Sequence, residues 1–225
     1  MKPIISNRED SGTLQDIGRA SVQIVHDLKN QLNGLKLYAT FLRKRLERSD
    51  RPGDEQETVN KLISGLDRAA NDLSTIVQYG RVIELKIQNG LDLQKVFRGI
   101  CAEFNLECAF EPDQANLIGD FDSTQLTEAL KWISVGALKY QPENDDPSVL
   151  NLSVRRITSD GTPAAMMQWN GAREWDHDPF HSFVGSDEIR MSLAAKIIEA
   201  HGGSIRYEGK SLAVTLPLAS GTDRA

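Results

Sequence analysis

The sequence predicts an α+β fold in two parts, an N-terminal antiparallel helical hairpin that a second copy completes into a dimeric four-helix bundle, then an α/β sandwich domain. Three observations predict it. Apolar residues recur at helical spacing through the first third of the chain; the pattern turns to strict alternation near residue 150; and a last helix-like segment runs into Gly202-Gly203 and an alternating hairpin. The chain has 225 residues, 40% hydrophobic and 26% charged, ordinary usage for a globular protein with one or two cores and incompatible with disorder as the main state.

Several function classes are set aside by composition. No window approaches the roughly 18–20 apolar residues of a membrane span, and the stretch Met1 to Arg8 lacks the apolar run of a signal peptide, so the expectation is a cytoplasmic protein without membrane contact. With 26 basic against 32 acidic residues the net charge is −6, which argues against nucleic acid as a partner. Cys101 and Cys108 form no Cys-x-x-Cys and have no histidine near them. Neither a disulfide framework nor a metal site is expected, and both read as small apolar fillers.

From Leu14 to Leu46 the residues Leu14, Ile17, Ile24, Leu28, Leu32, Leu35, Ala39, Leu42 and Leu46 follow one another at spacings of a helix that buries one stripe. Arg51-Pro52-Gly53-Asp54 reads as a turn. A second stripe follows, Val59, Leu62, Ile63, Leu66, Ala69, Ala70, Leu73, Ile76 and Val77. Within one hairpin each stripe has only one partner helix, so a homodimer is the natural completion. A linker is expected at Leu85 to Gly90, which divides the chain into domains at 1–86 and 91–219. In the second, Leu91 to Leu106 reads as helix, Glu107 to Phe110 as strand, Ser123 to Tyr140 as helix, and Val149 to Ile157 and Pro163 to Trp169 as strands. Glu188 to Ala200 reads as a helix ended by His201-Gly202-Gly203, because glycine takes the left-handed conformation cheaply. A hairpin closes the domain, with Ile205 and Tyr207 facing Leu212, Val214 and Leu216 around Glu208-Gly209-Lys210, and the tails Met1 to Asp10 and Ser220 to Ala225 are expected to fray.

His26 stands out. At about 100° per residue it lies roughly 160° from the mean direction of the apolar stripe, on the wet side of the first helix. Its surroundings are His26-Asp27-Leu28-Lys29-Asn30-Gln31-Leu32. Neutral imidazole is a competent nucleophile toward phosphorus, an adjacent carboxylate orients the ring and accepts its proton, and carboxamides one turn on are placed to hold a water. The same pair is also an ordinary solvated surface, and periodicity alone does not separate the two.

His26-Asp27-Leu28-Lys29-Asn30 in the first helix of a hairpin resembles the phosphoacceptor motif of two-component sensor histidine kinases, with Gln31 where proline is usual. The spacing of Asp27 to Gln31 also resembles a second kinase subfamily. Phe121-Asp122-Ser123-Thr124-Gln125-Leu126 through Gly136-Ala137-Leu138-Lys139-Tyr140 looks like the helix carrying the family's nucleotide-binding asparagines. Ala195-Lys196-Ile197-Ile198-Glu199-Ala200-His201-Gly202-Gly203 and Val214-Thr215-Leu216-Pro217-Leu218 look like its last helix and strand. The resemblance therefore implies a Bergerat-type second domain.

Departures from the family pattern imply a degenerate one. The two asparagine positions hold Trp132 and Gly136, which offer magnesium no ligand. The adenine segment reads Trp169-Asn170-Gly171-Ala172-Arg173, without its aspartate. Glu188 stands where the lid has glycine and would repel a triphosphate, and Gly171 to Ser186 is short for a lid. Leu126, Leu130, Ala137, Ile197 and Ile198 keep the scaffold apolar. The resemblance then points to histidine phosphotransferases of the ChpT type, which keep kinase-like architecture without ATP binding. On that reading His26 and Asp27 carry a phosphoryl group between receiver-domain aspartates of response regulators and an upstream hybrid histidine kinase. Lys29 screens phosphate charge; Asn30 and Gln31 assist or hydrolyse; Lys29, Asn30 and Asn33 contact the receiver. Magnesium comes with the receiver and no cofactor is bound. The competing readings are a divergent kinase with weak ATP use and a non-catalytic receiver-binding dimer or phosphatase.

Overall fold

In the computed structural model the described residues are 7–46, 53–110, 117–139, 150–172, 177–183, 185–208 and 211–219. They form two compact units, Met1–Val82 and Ile83–Ala225.

The first unit is two helices, α1 (Asn7–Leu46) and α2 (Gly53–Gly80), packed along one another. Gly53 and Asp54, expected in the turn, already belong to α2; Arg51 and Pro52 lie outside the described residues. Ala39 of α1 and Val77 of α2 are buried, and Lys36 reaches across to Asp67 at 2.5 Å. Hydroxyls on these helices are satisfied locally: Thr40 donates to Lys36 O at 2.8 Å and Ser74 to Ala70 O at 2.7 Å, so neither costs an unpaired polar group.

The second unit is a mixed sheet under helices, an α+β layer. Five strands lie in the order β2 (Glu107–Phe110), β4 (Asn151–Ser159), β5 (Thr162–Asn170), β7 (Ser211–Pro217), β6 (Ser204–Glu208); β2 runs parallel to β4 and the other neighbours are antiparallel. Period-two alternation puts Leu152, Val154, Met167, Trp169, Leu212, Val214 and Leu216 on the buried face. Helices α3 (Leu93–Phe104), α4 (Ser123–Lys139) and α5 (Ser186–Ala200) supply Phe97, Ile100, Leu126, Leu130, Ile133 and Ile198 to the same core. A separate antiparallel pair joins β1 (Gln88–Asp92) to β3 (Ile118–Phe121), and a 3-10 turn spans Pro179–His181.

Three expectations need correction. Most of the segment expected as a linker and helix start, Gln88 to Asp92, is a strand, because Ile118–Phe121 supplies a partner too short to leave a periodic signal. The helix begins only after Asp92, whose carboxylate caps it by accepting the Gln94 N–H at 3.0 Å, and it ends at Asn105 in the left-handed region with φ 52°. Cys101 and Cys108 are not separate fillers: the turn between α3 and β2 brings their Cα atoms to 6.2 Å and their sulfurs are bonded. Lys210, Tyr140, Val149 and both tails expected to fray lie wholly or partly outside the described residues.

At the end of α5, Gly202 has φ +74°, and the Gly202 and Gly203 N–H groups donate back to Glu199 and Ile198 carbonyls at 2.9 and 3.0 Å. Gly203 is there for space. A Cβ on it would stand 2.6 Å from Thr215 O and 2.9 Å from side-chain atoms of Ile198 and Leu216. Gly203→Ala should therefore lower the unfolding midpoint of this unit in urea by an amount equal to about 1–3 kcal/mol. Gly99→Ala, inside α3 with nothing within 4 Å of the new atom, should raise it by about 0.5–1 kcal/mol. Equal effects of the two would contradict the packing described.

Candidate functional site

His26 and Asp27 sit near the middle of α1, a helix of 40 residues. Their side chains lie outside the described residues, so their place is given by the helix itself. Of the neighbours singled out from sequence, Lys29 is half-buried, and Asn30, Gln31 and Asn33 are exposed. Helical phase sets Asn30 about 40° and Asn33 about 20° from position 26, the three forming one side of α1. Leu37 and Phe41 continue that side, at about 20° and 60° from the same position, and both are more than half exposed.

The apolar stripe itself divides. Ala39 is buried and Leu32 and Leu46 are half-buried, yet Leu28 is 44%, Leu35 54% and Leu42 52% exposed. These three leucines are seven residues apart, and Tyr38, 69% exposed, falls between the last two. Large apolar groups at heptad spacing are the pattern from which helix–helix seams are built.

In the second unit, Trp169 and Met191, which the sequence resemblance sets near nucleotide contacts, take part in packing. Trp169 of β5 is fully buried and its indole N–H donates to Ser134 Oγ of α4 at 3.1 Å, while Ser134 donates to Leu130 O at 2.9 Å. Met191 of α5 is fully buried over Gly136; a Cβ on that glycine would stand 2.4 Å from the Met191 sulfur. Trp132 is half-buried on α4. Glu188 turns its carboxylate back toward Gly185, where a Cβ would meet it at 2.6 Å. With Asp187, it puts two acids in the first turn of α5, the end at which a helix favours negative charge. Arg173 lies outside the described residues. Among the described residues no group of three or more His, Cys, Asp or Glu side chains is placed to hold a metal.

A second cluster was not read from sequence. Asp122 accepts the Thr124 and Gln125 N–H groups on Oδ1 at 3.1 and 3.0 Å, and on Oδ2 the Lys86 N–H at 2.9 Å and the Gln125 side-chain amide at 3.1 Å. Its own N–H donates to His201 Nε2 at 3.0 Å, and His201 Nδ1 donates to Ile197 O at 2.8 Å. One partner only donates and the other only accepts, which assigns the ring proton to Nδ1. Asp-x-x-Gln ahead of an apolar run is the spacing of a capping box, a signal that was present at Asp122 to Gln125.

No family model and no curated protein sequence matches the chain. Solved structures do. Full-length ShkA in complex with AMPPNP superposes with a TM-score of 0.63 at 16% identity, over 89% of this chain and 46% of that one. Histidine kinase AdeS of Acinetobacter baumannii gives 0.52 at 14% identity over 88% and 98%. Histidine kinase ThkA in complex with the response regulator protein TrrA gives 0.55 at 19% identity over 93% and 64%. The chain thus spans less than half of the ShkA chain and under two thirds of the ThkA chain. The shared property is the fold, that of histidine kinases.

Burial works to raise the Asp122 carboxyl, but the hydrogen bonds from Gln125 N–H, Lys86 N–H, the Gln125 amide and Thr124 N–H outweigh it and hold its pKa below the ordinary aspartate value. A carboxyl depressed in the folded state contributes stability that is complete above about pH 4 and is lost as pH falls through the folded value. Asp122→Asn should flatten this acid limb of stability for the second unit, followed as urea midpoint between about pH 5 and pH 2. Parallel acid limbs in the two proteins would contradict the assignment.

Proposed function

We propose that the chain is a dimeric histidine phosphotransferase of two-component signalling, relaying a phosphoryl group between receiver-domain aspartates through His26. The observation that carries this reading is the contrast between the two units. One carries His26-Asp27-Leu28-Lys29-Asn30 near the middle of a helix on which Leu35, Tyr38 and Leu42 are exposed; the other has the kinase fold with Trp169, Met191 and Glu188 where the resemblance sets nucleotide contacts. The kinase fold implies a magnesium nucleotide, and the donor set does not suit one. Trp132 and Gly136 provide no oxygen to a cation, and Glu188 adds negative charge near the phosphates. ATP therefore takes no part in the proposed transfer.

The chemistry needs few groups. A neutral imidazole nitrogen of His26 attacks the phosphorus of a donor aspartyl phosphate; an N–P bond forms, the anhydride O–P bond breaks, and its electron pair returns to the donor carboxylate. The proton on the other ring nitrogen passes to Asp27. In the second half the acceptor aspartate attacks phosphorus, the N–P bond breaks, and the ring recovers its proton. The divalent ion that neutralises the transferring group would be held by the receiver. Lys29 adds positive charge nearby, and Asn30 and Gln31 are the groups able to place a water for the reverse, hydrolytic outcome. ThkA has been seen with a response regulator, which supports receivers as partners here, supplied with phosphate by a hybrid kinase. Leu37 and Phe41, on the side of position 26, are apolar area for such a partner.

Dimerisation follows from the seam at Leu28, Leu35, Tyr38 and Leu42, which a second copy covers. Light scattering at micromolar concentration should give twice the chain mass, and Leu35→Glu with Leu42→Glu should give the monomer. A monomeric wild type would remove the bundle. In a reconstituted relay of phosphorylated donor receiver, this chain and acceptor receiver, His26→Gln should reduce transfer by at least about a thousandfold with dimer mass unchanged. Undiminished transfer would show that His26 is no intermediate. Titration with magnesium and AMPPNP separates the divergent kinase: micromolar affinity would favour it.

A further inference from the structure

The two cysteines have no part in the proposed transfer, and they are the only two in the chain. Cys101 lies in the last turn of α3 and Cys108 in β2, seven residues on; their sulfurs are bonded and their Cα atoms are 6.2 Å apart. Hydrogen bonds of the backbone shape the turn between them. Asn105 takes the left-handed conformation, and the Cys101 carbonyl accepts the N–H groups of both Asn105 and Leu106, the second at 2.9 Å. A cross-link over so short a loop restricts the unfolded chain less than a long-range one would.

The two ends of the bond are anchored unequally. On α3, Leu93, Phe97 and Ile100 are buried in the core, and Glu103 pairs with Lys131 of α4 at 2.7 Å. On β2 no residue is fully buried: Glu107 and Ala109 are exposed, and Cys108 and Phe110 are half-buried. It is an edge strand, joined to the sheet by four residues paired with Asn151 to Val154 of β4. Beyond that pairing, α3 holds it through the Cys101–Cys108 bond and through Arg98, whose guanidinium lies 5.0 Å from the centre of the Phe110 ring.

We propose that Cys101 and Cys108 are a reversible dithiol–disulfide site, a latch that fastens β2 to α3 when oxidised and lets it go on reduction by a dithiol. Cys108 is the sulfur open to attack, since Cys101 is only 6% exposed. A thiolate of the reductant bonds to the Cys108 sulfur; the Cys101–Cys108 bond breaks, and its electron pair leaves on Cys101, which takes up a proton. The reductant's second thiol then gives up its proton and displaces Cys108 as a thiol, and the reductant departs as a disulfide. Two electrons and two protons have passed to the pair. A disulfide oxidant reverses the exchange. The turn at Asn105 keeps both sulfurs within reach in either state, so closing needs no refolding. Opening leaves α3 in place and loosens β2, and with it the cover over the Asn151–Val154 edge of β4. This inference does not depend on the phosphotransfer reading.

The site is tested on the full-length chain in native buffer, treated with dithiothreitol or with oxidised glutathione, quenched with iodoacetamide and measured by intact mass. Both thiols should be alkylated after reduction and neither after oxidation, through repeated cycles and with unchanged far-ultraviolet circular dichroism. A bond that opens only once urea is added, or thiols that fail to close on each other in the folded chain, would overturn the site. Amide hydrogen exchange reads the latch. Reduction should speed exchange across Glu107–Phe110 at least about tenfold, Cys108→Ser should do the same without reductant, and Leu93–Ile100 and Leu126–Leu130 should be unchanged in both. Exchange through β2 that is equal in the oxidised and reduced chains, or that rises equally in α3, would overturn the latch.

Discussion

The buried indole of Trp169, bonded to Ser134 across the interface of β5 and α4, constrains what the second unit is able to do. Interior space is filled at close-packed density, so a side chain of that size lying between sheet and helix fixes how closely the two approach. Met191 over Gly136 acts in the same way between α4 and α5. Opening either place means stripping fully buried apolar area of its contacts, which costs about 1.5–3 kcal/mol per large side chain before a ligand returns anything. The scaffold is preserved through Leu126, Leu130 and Ile198, all fully buried.

The helical unit carries the complementary argument. α1 packs on α2 and carries a row of half-exposed leucines seven apart and a polar side holding Asn30 and Asn33 at the phase of position 26. A single amphipathic helix therefore serves three surfaces. A second copy and a receiver are the occupants the proposed function assigns to the others.

Much of the second unit was legible in the sequence. Alternation marked β4 and β7, because each has one buried face, and the three-four spacing of Leu126, Leu130, Ile133 and Ala137 marked α4. Strands β1 and β3 were not legible: four or five residues in a peripheral pair carry no periodic signal, and Gly90 with φ 75° breaks what there is. The meeting of Cys101 and Cys108 depends on the turn at Asn105, a geometry that spacing alone does not announce. In the first unit periodicity located both helices but merged two stripes into one, since Leu28, Leu35 and Leu42 lie within about 60° of the buried Ala39 and only packing shows which side α2 takes. The cluster around Asp122 joins residues up to 79 positions apart in sequence, and of it only the Asp-x-x-Gln spacing was local enough to read.

The source of the phosphoryl group is the point on which the account turns. Incubating the chain with a receiver carrying radiolabelled aspartyl phosphate, and separately with γ-labelled ATP and magnesium, and then locating acid-labile label by peptide mapping, distinguishes the two origins. The account predicts label on His26 from the receiver and none from ATP; label from ATP alone would contradict it.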